Sequence, residues 1–126
     1  LFRSIIGTLV THVTFGQAVF QLSQHDRGEF RFLLSEVIAT FGLITVIALS
    51  GRRNMENTPM AVSLYITSAY WCTSSTSFAN PAVTIARSFT DTFSGILWTA
   101  TPGFITAQLV GAALAYYASC ILIKPK

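Results

Sequence analysis

The clearest chemical signal in this chain comes from Asn80, Pro81 and Ala82, which are consecutive within the run Ser77–Arg87. An asparagine side chain accepts from the free N–H groups of a first helical turn, so Asn80 predicts an N-cap. Pro81 suits the first helical position, because its missing N–H and fixed φ cost nothing there. The chemistry of this tripeptide is therefore hydrogen bonding at the start of a helix.

The other polar residues form no catalytic or metal-binding pattern. The run Thr73–Ser77 is rich in hydroxyl groups, but the sequence offers no accompanying base to activate a nucleophile. The remaining candidate ligands and nucleophiles are His12, His25, Asp26, Cys72 and Cys120. Neither metal-ligand spacing nor a disulfide framework is present among them. We expect no enzyme activity, no cofactor and no metal.

The composition is that of a membrane protein. Hydrophobic residues make up 52% of the chain and charged residues 10%, whereas a soluble domain carries about 25% charged residues. Four candidate spans are Ile5–Phe20, Phe32–Leu49, Pro59–Cys72 and Pro102–Ile123. A spanning helix needs roughly 20 apolar residues, and the second and fourth stretches meet this requirement. The chain is predicted to be an all-α membrane protein.

The distribution of basic residues predicts the topology. The positive-inside tendency places Arg3, the loop Gly51–Thr58 and the C-terminus with Lys124 and Lys126 on the cytoplasmic side. These charges account for the pI of about 9.2 without a nucleic-acid partner. In the opposite loop, we expect Arg27 and Arg31 to be balanced by the neighbouring acidic residues Asp26 and Glu29.

This topology requires residues 73–95 to start and finish outside, so the segment must dip into the membrane and return. The Ser/Thr run predicts a non-helical lead-in, and a short helix then follows the Asn80 cap and continues through Val83–Thr90. Asp91, Ser94 and Gly95 are predicted to end it. About ten residues span roughly 15 Å, half of a bilayer. A broken helix at this depth is tolerated where it is buried in protein or lines a cavity.

Three motifs in register resemble the second half of an aquaporin-type channel of the major intrinsic protein family. Asn80-Pro81-Ala82 matches the signature of the family's second re-entrant half-helix. Glu36-Val37-Ile38-Ala39-Thr40-Phe41 matches the Glu-x-x-x-Thr-Phe pattern of its fourth span, and Gln108-Leu109-Val110-Gly111-Ala112-Ala113 resembles the signature of its sixth. The resemblance covers nearly all of residues 1–126 as one domain, from within the third span through the sixth.

The resemblance implies an inverted-repeat bundle, of which this chain supplies the second repeat with one re-entrant half-helix. The first residue is Leu1 rather than Met, and the first span is short, so we expect a fragment of a longer protein. The family association also implies a homotetramer in the plasma membrane with a cytoplasmic C-terminus. In such pores two half-helices meet at mid-membrane, and each asparagine offers its amide to the passing solute.

The residue after the tripeptide departs from the family pattern. Water-selective members carry arginine there, whereas this chain has Val83, which implies a wider and less charged constriction. Arg87 follows one turn later on the same helix face. Arg87 either replaces part of the missing charge or caps the helix and snorkels at the outer interface.

Two further constriction positions carry over by ungapped spacing: Ser77, three residues before Asn80, and Ser68, twelve residues before it. A single gap moves the second assignment to Tyr70. Small serines at these positions again imply a wide pore.

Glu36 is an ionisable residue inside an apolar span, where such residues are costly and face protein or water. The resemblance implies that it hydrogen-bonds the re-entrant loop and holds the loop's carbonyls toward the pore. A pH-sensing or ion-conducting carboxylate is the alternative.

The sequence therefore predicts a passive channel for water or small uncharged solutes, among them polyols, urea and neutral metalloid acids such as protonated arsenite. Its partners are the lipid bilayer and these solutes. The alternative is a secondary transporter, because transporters also contain broken helices.

Overall fold

The computed structural model describes residues 1–122, and all of the regular secondary structure within this range is helical. Five α-helices follow one another: α1 (Phe2–Thr14), α2 (Phe30–Arg53), α3 (Thr58–Cys72), α4 (Pro81–Arg87) and α5 (Thr101–Leu122). Short 3-10 helices at Met55–Asn57 and Trp98–Ala100 lead into α3 and α5. The predicted all-α membrane fold is confirmed.

Two helices are long and apolar enough to cross a membrane, namely Phe30–Arg53 and Trp98–Ile121, the latter including the preceding 3-10 turn. Helix α3 has 15 residues, fewer than the roughly 20 that a full span needs. The predicted third and fourth spans agree with α3 and α5 to within one residue at each described boundary. Ile123, Lys124 and Lys126, which the sequence places at the cytoplasmic C-terminus, lie outside the described residues.

The prediction of the first span is wrong beyond Thr14, because α1 stops there and not at Phe20. Gly16 has a positive φ of 63°, a left-handed conformation that glycine adopts without steric cost. The N–H of Gln17 returns to the carbonyl of His12 at 2.8 Å. This turn redirects the chain into the irregular segment 15–29.

The bundle is built around the pair α2 and α5, which share the most extensive contact, and α3 also packs on α2. Gly111 makes the close approach possible. A Cβ on Gly111 would lie 2.5 Å from the carbonyl oxygen of Val37 and 3.1 Å from Cβ of Thr40. Small residues allow membrane helices to approach this closely.

The short helix α4 lies between α1 and α5. The apolar core beside it is a cluster of buried residues: Phe78, Ile96, Ala100 and Phe104. The rings of Phe78 and Phe104 are 5.2 Å apart, so the chain leading into α4 is anchored directly on α5. This packing sets the depth and direction of the half-helix.

Candidate functional site

Asn80 begins α4 as the sequence predicts. Its Oδ1 accepts from the N–H of Ala82 at 2.9 Å, while its own backbone is extended. Pro81 occupies the first helical position. The Asn80 side chain is exposed, and within residues 1–122 its Nδ2 has no hydrogen-bond partner. The cap therefore uses the oxygen of the amide and leaves both N–H donors available.

The half-helix is shorter than predicted, because it ends at Arg87 and not at Thr90. The N–H groups of Ser88 and Phe89 bond to carbonyls three residues earlier, and Oγ of Ser88 donates to the carbonyl of Ile85. The carbonyl of Ser88 then accepts from the N–H of Ser23 in the segment 15–29. Seven residues rise roughly 10 Å, which is about a third of the hydrocarbon core.

The lead-in to α4 has an unusual backbone. Thr76, Ser77 and Ala79 have positive φ values of 62°, 47° and 47°, a region that costs L-residues roughly 1–2 kcal/mol each. Such a conformation persists only where its surroundings hold it in place. Two charged side chains hold the lead-in in place: Glu36 accepts hydrogen bonds from its N–H groups, and Arg27 donates to a carbonyl.

Glu36 is fully buried and binds the N–H side of the lead-in. Its Oε1 accepts from the N–H of Phe78 and from Oγ of Ser75, each at 2.8 Å. Its Oε2 accepts from the N–H of Ala79 at 3.0 Å and from Nε2 of Gln108 at 2.7 Å. Four donors satisfy a carboxylate, which only accepts when ionised.

Gln108 is the residue that sequence reasoning missed in this network. Besides Glu36, its Nε2 contacts Oγ1 of Thr84 on α4 at 2.8 Å. One buried amide thus ties α5 to both α2 and α4. A lone glutamine in an otherwise charge-free span was the available signal, because a buried polar group in a membrane needs a partner.

Arg27 binds the carbonyl side of the same region. Its Nε and Nη2 donate to the carbonyls of Gly95 and Phe93 at 2.8 and 2.7 Å, and Nη1 donates to that of Ser75 at 3.2 Å. Asp26 and Glu29 balance Arg27 and Arg31 in number of charges, as the sequence predicts, but within residues 1–122 neither hydrogen-bonds to Arg27. Glu29 pairs with Arg31 at 2.8 Å, and Asp26 accepts from the N–H of Gly28. Burial lowers the pKa of Arg27, and the negative charge of Glu36 opposes this change.

A cavity of about 540 Å³ lies between α1 and one flank of α4. Val83, Ala86 and Arg87 form its α4 wall. Hydroxyl groups supply much of the rest, from Ser4, Thr8, Thr11, Thr90, Thr92 and Ser94. Gly7 lies in the α1 wall, and a Cβ added there would meet nothing within 4 Å in the described part of the chain. No carboxylate lines the cavity among the residues that the structure describes.

His12 joins the two walls of this cavity. It is 1% exposed, with Nδ1 at 2.9 Å from the carbonyl of Val19 and Nε2 at 2.8 Å from Oγ1 of Thr90. Because a carbonyl only accepts, the Nδ1 contact requires a proton on that nitrogen. The hydroxyl of Thr90 lies 3.1 Å from that of Thr92, which lies 3.4 Å from that of Ser94. His12 and these three hydroxyl groups therefore form a continuous track of polar groups.

The predicted constriction residues do not all meet in one place. Val83 and Arg87 share the cavity between α1 and α4. Ser77 is a buried residue of the lead-in itself, and its N–H donates to Oγ of Ser75 at 3.2 Å. Ser68 lies on an exposed face of α3, and its hydroxyl donates to the carbonyl of Leu64 at 2.9 Å. Neither serine lines the cavity in this part of the protein.

Arg87 contacts the lead-in rather than a carboxylate. Its guanidinium carbon lies 4.3 Å from the centre of the Phe78 ring, and Nη1 is 3.5 Å from Oγ1 of Thr76. The side chain is half-buried. Of the two interpretations of Arg87, this geometry favours a residue facing the cavity over one that snorkels to the interface.

Comparison with curated proteins gives a relative that agrees with this architecture. No protein-family model matches the chain, and no solved structure matches it. Aquaglyceroporin AqpS of Rhizobium meliloti (strain 1021) is 46% identical over 122 residues, which is 97% of this chain and 52% of that protein. The chain therefore spans about half the length of the curated relative that it matches. With an Asn-Pro-Ala half-helix held by the glutamate of α2, and with this degree of identity, the chain belongs to the aquaporin, or major intrinsic protein, family.

Proposed function

We propose that this chain forms part of the wall of a passive transmembrane channel for water and small uncharged solutes. The observation that carries the proposal is the cavity beside α4, which has an asparagine-capped half-helix on one side and a track of hydroxyl groups on the other. A helix N-terminus carries a partial positive charge. The cavity lining combines hydroxyl-bearing side chains with apolar surface, and among the described residues no carboxylate lines it. We propose that this lining and the nearby helix end favour neutral solutes over cations.

The lining of the cavity suits solutes larger than water. Val83, Ala86, Gly7 and Phe15 add apolar or small surfaces to the lining beside the hydroxyl-bearing residues. A polyol, urea or a neutral metalloid acid such as protonated arsenite has polar groups distributed around a compact body. The name of the relative, aquaglyceroporin, refers to water and glycerol. We therefore propose that glycerol-like polyols and comparable neutral solutes pass with water.

We propose the following roles for the site residues. Asn80 offers its free N–H donors at the start of α4, Val83 and Arg87 set the outer constriction, and Glu36 supports the lead-in without entering the path. Ser77 and Ser68 stay proposed pore positions of the complete channel, although neither lines the cavity of this chain. We further propose that the channel is a plasma-membrane homotetramer with a cytoplasmic C-terminus, so that segments 15–29 and 88–97, which hydrogen-bond to each other, lie outside.

A vesicle osmotic assay on the native protein tests the proposal. Vesicles that contain the channel should shrink in sorbitol faster than empty vesicles. They should then re-swell in glycerol, urea or arsenous acid at rates above the lipid background. Solute accumulation against its gradient, driven by an ion gradient, would contradict a channel and favour a transporter. Rates equal to those of empty vesicles for every solute would also overturn the proposal.

A further inference from the structure

Within residues 1–122, Arg27 is a buried cation without a carboxylate partner. It is 7% exposed, and its three hydrogen bonds all go to neutral backbone carbonyls. Glu29 pairs with Arg31 instead, and Oδ1 of Asp91 lies 4.0 Å from Nε2 of His25. Carbonyl oxygens satisfy the N–H donors but leave the net charge in place. The protein thus keeps a positive charge below its surface at the outer end of the lead-in.

The same aromatic ring connects Arg27 to Arg87. The guanidinium carbon of Arg27 lies 5.5 Å from the centre of the Phe78 ring, and that of Arg87 lies 4.3 Å from it. Both distances are within the range of a cation–π contact. Phe78 is itself buried and packs on Phe104. A buried ring therefore fixes two guanidinium groups near each other.

The bonds of Arg27 also determine where Phe78 lies. Ser75, whose carbonyl it binds, belongs to the chain entering α4, whereas Phe93 and Gly95 belong to the chain leaving it. One side chain thus holds both arms of the re-entrant segment together. The guanidinium of Arg87 contacts the Phe78 ring. The position of Arg87 in the cavity wall therefore depends on the bonds that Arg27 makes to the re-entrant segment.

The nearest buried carboxylate does not neutralise the two cations by direct contact. Glu36 uses both oxygens for four hydrogen bonds to Ser75, Phe78, Ala79 and Gln108. Glu36 attracts Arg27 and Arg87 only through space. Two positive charges therefore lie at the outer end of the re-entrant segment, although Val83 occupies the position that follows the Asn-Pro-Ala tripeptide. Arg87 lines the cavity, and Arg27 lies beside the Phe78 ring outside that lining.

We propose that Arg27, from the segment 15–29, supplies the cation barrier of this channel jointly with Arg87, which it positions through Phe78. The inference rests on the proposed channel function and assigns cation exclusion to a residue outside the re-entrant segment. Neutral solutes pass the pair, whereas sodium, potassium and hydronium ions meet two fixed positive charges in a poorly solvated place.

The test measures neutral-solute flux and cation leak in the same proteoliposomes, with the native protein and the variants Arg27→Gln, Arg27→Lys and Arg87→Gln. Glycerol flux is followed by light scattering, and potassium leak by a potential-sensitive dye. Arg27→Gln and Arg87→Gln should each raise potassium leak by about tenfold. Arg27→Gln should keep glycerol flux within about twofold of wild type, because Arg27 does not line the cavity. Arg27→Lys should keep the leak close to the wild-type value, because it keeps the charge.

Arg31→Gln is the matched control, because Arg31 follows in the same part of the chain but is exposed and paired with Glu29. It should alter neither readout. A wild-type potassium leak in Arg27→Gln or Arg87→Gln, at wild-type abundance, would overturn the inference. If Arg27→Gln does not accumulate, the potassium leak of Arg87→Gln is the deciding measurement, because the side chain of Arg87 holds no backbone carbonyl. Loss of glycerol flux in the wild-type protein would instead contradict the proposed function.

Discussion

The side-chain nitrogen of Gln108 lies 2.7 Å from Oε2 of Glu36, and this contact joins α5 to α2 inside the bundle. The same nitrogen is 2.8 Å from Oγ1 of Thr84 on α4. Gln108 and Thr84 are 2% and 0% exposed, and Glu36 is fully buried. The orientation of the half-helix is thus fixed by a polar junction of three helices as well as by apolar packing.

Replacing Glu36 with alanine should prevent stable assembly more than it changes selectivity. The substitution leaves four buried donors without their acceptor, and each such donor costs about 1–3 kcal/mol. We expect a large loss of membrane abundance and of the folded fraction in detergent, measured by immunoblot and size-exclusion chromatography. Glu29→Ala is the control, since an exposed ion pair contributes about 0–1 kcal/mol. Normal abundance of Glu36→Ala with new ion conduction would favour a conducting carboxylate.

Replacing Gln108 with leucine should lower stability by an intermediate amount. Glu36 keeps three of its four donors, and Thr84 loses one partner, so we expect a loss of about 1–3 kcal/mol. The measurement is the thermal unfolding midpoint of the detergent-solubilised protein. Gln21→Leu is a suitable control, because Gln21 lies in the segment 15–29 and its side chain bonds to the nearby carbonyl of Ala18. Equal midpoints for the two variants would mean that the junction contributes nothing.

Replacing Val83 with arginine should convert the channel toward water selectivity. Val83 lines the cavity beside Arg87, so a long cationic side chain would occupy space and add a third positive charge. We expect glycerol flux to fall by at least about tenfold, equivalent to about 1.4 kcal/mol in the barrier, with a smaller change in water flux. Val83→Ala should preserve glycerol flux. Unchanged glycerol flux in Val83→Arg at equal abundance would place the constriction elsewhere.

Replacing Gly111 with alanine should separate α2 from α5. The new Cβ would lie 2.5 Å from the carbonyl oxygen of Val37, and overpacking of this kind costs about 1–3 kcal/mol. Gly51→Ala is the matched control on α2, since its nearest heavy atom, Oγ1 of Thr58, is 3.9 Å from the added Cβ. We expect a lower unfolding midpoint for Gly111→Ala alone. A loss of equal size in both variants would indicate a general effect of losing glycine.

The sequence predicts the parts of this structure that depend on local rules. The Asn80 cap, the Pro81 start and the bounds of α3 and α5 follow from residue type and hydropathy. The end of α4 does not, because Ser88 bonds to Ser23 in a distant segment. Local sequence contains no information on such a partner.

The contacts of Arg27 at the candidate site are likewise not predictable from local sequence. Its acceptors are backbone carbonyls 48, 66 and 68 residues away, and every residue type has a carbonyl. The neighbouring acidic residues Asp26 and Glu29 balance the charge of the loop but do not reveal these acceptors. His12 is similar, because Thr90, whose hydroxyl lies 2.8 Å from its Nε2, becomes a neighbour only when α1 packs against α4.

The left-handed residues Thr76, Ser77 and Ala79 have a consequence for biosynthesis. Their conformation depends on Glu36, and the four donors around Glu36 include Gln108 on α5, which is synthesised after α4. The lead-in to α4 therefore reaches its final shape only after α5 has been inserted and has packed on α2. A nascent chain arrested before Gln108 should leave residues 73–80 open to protease, so the order of synthesis delays the closure of this loop.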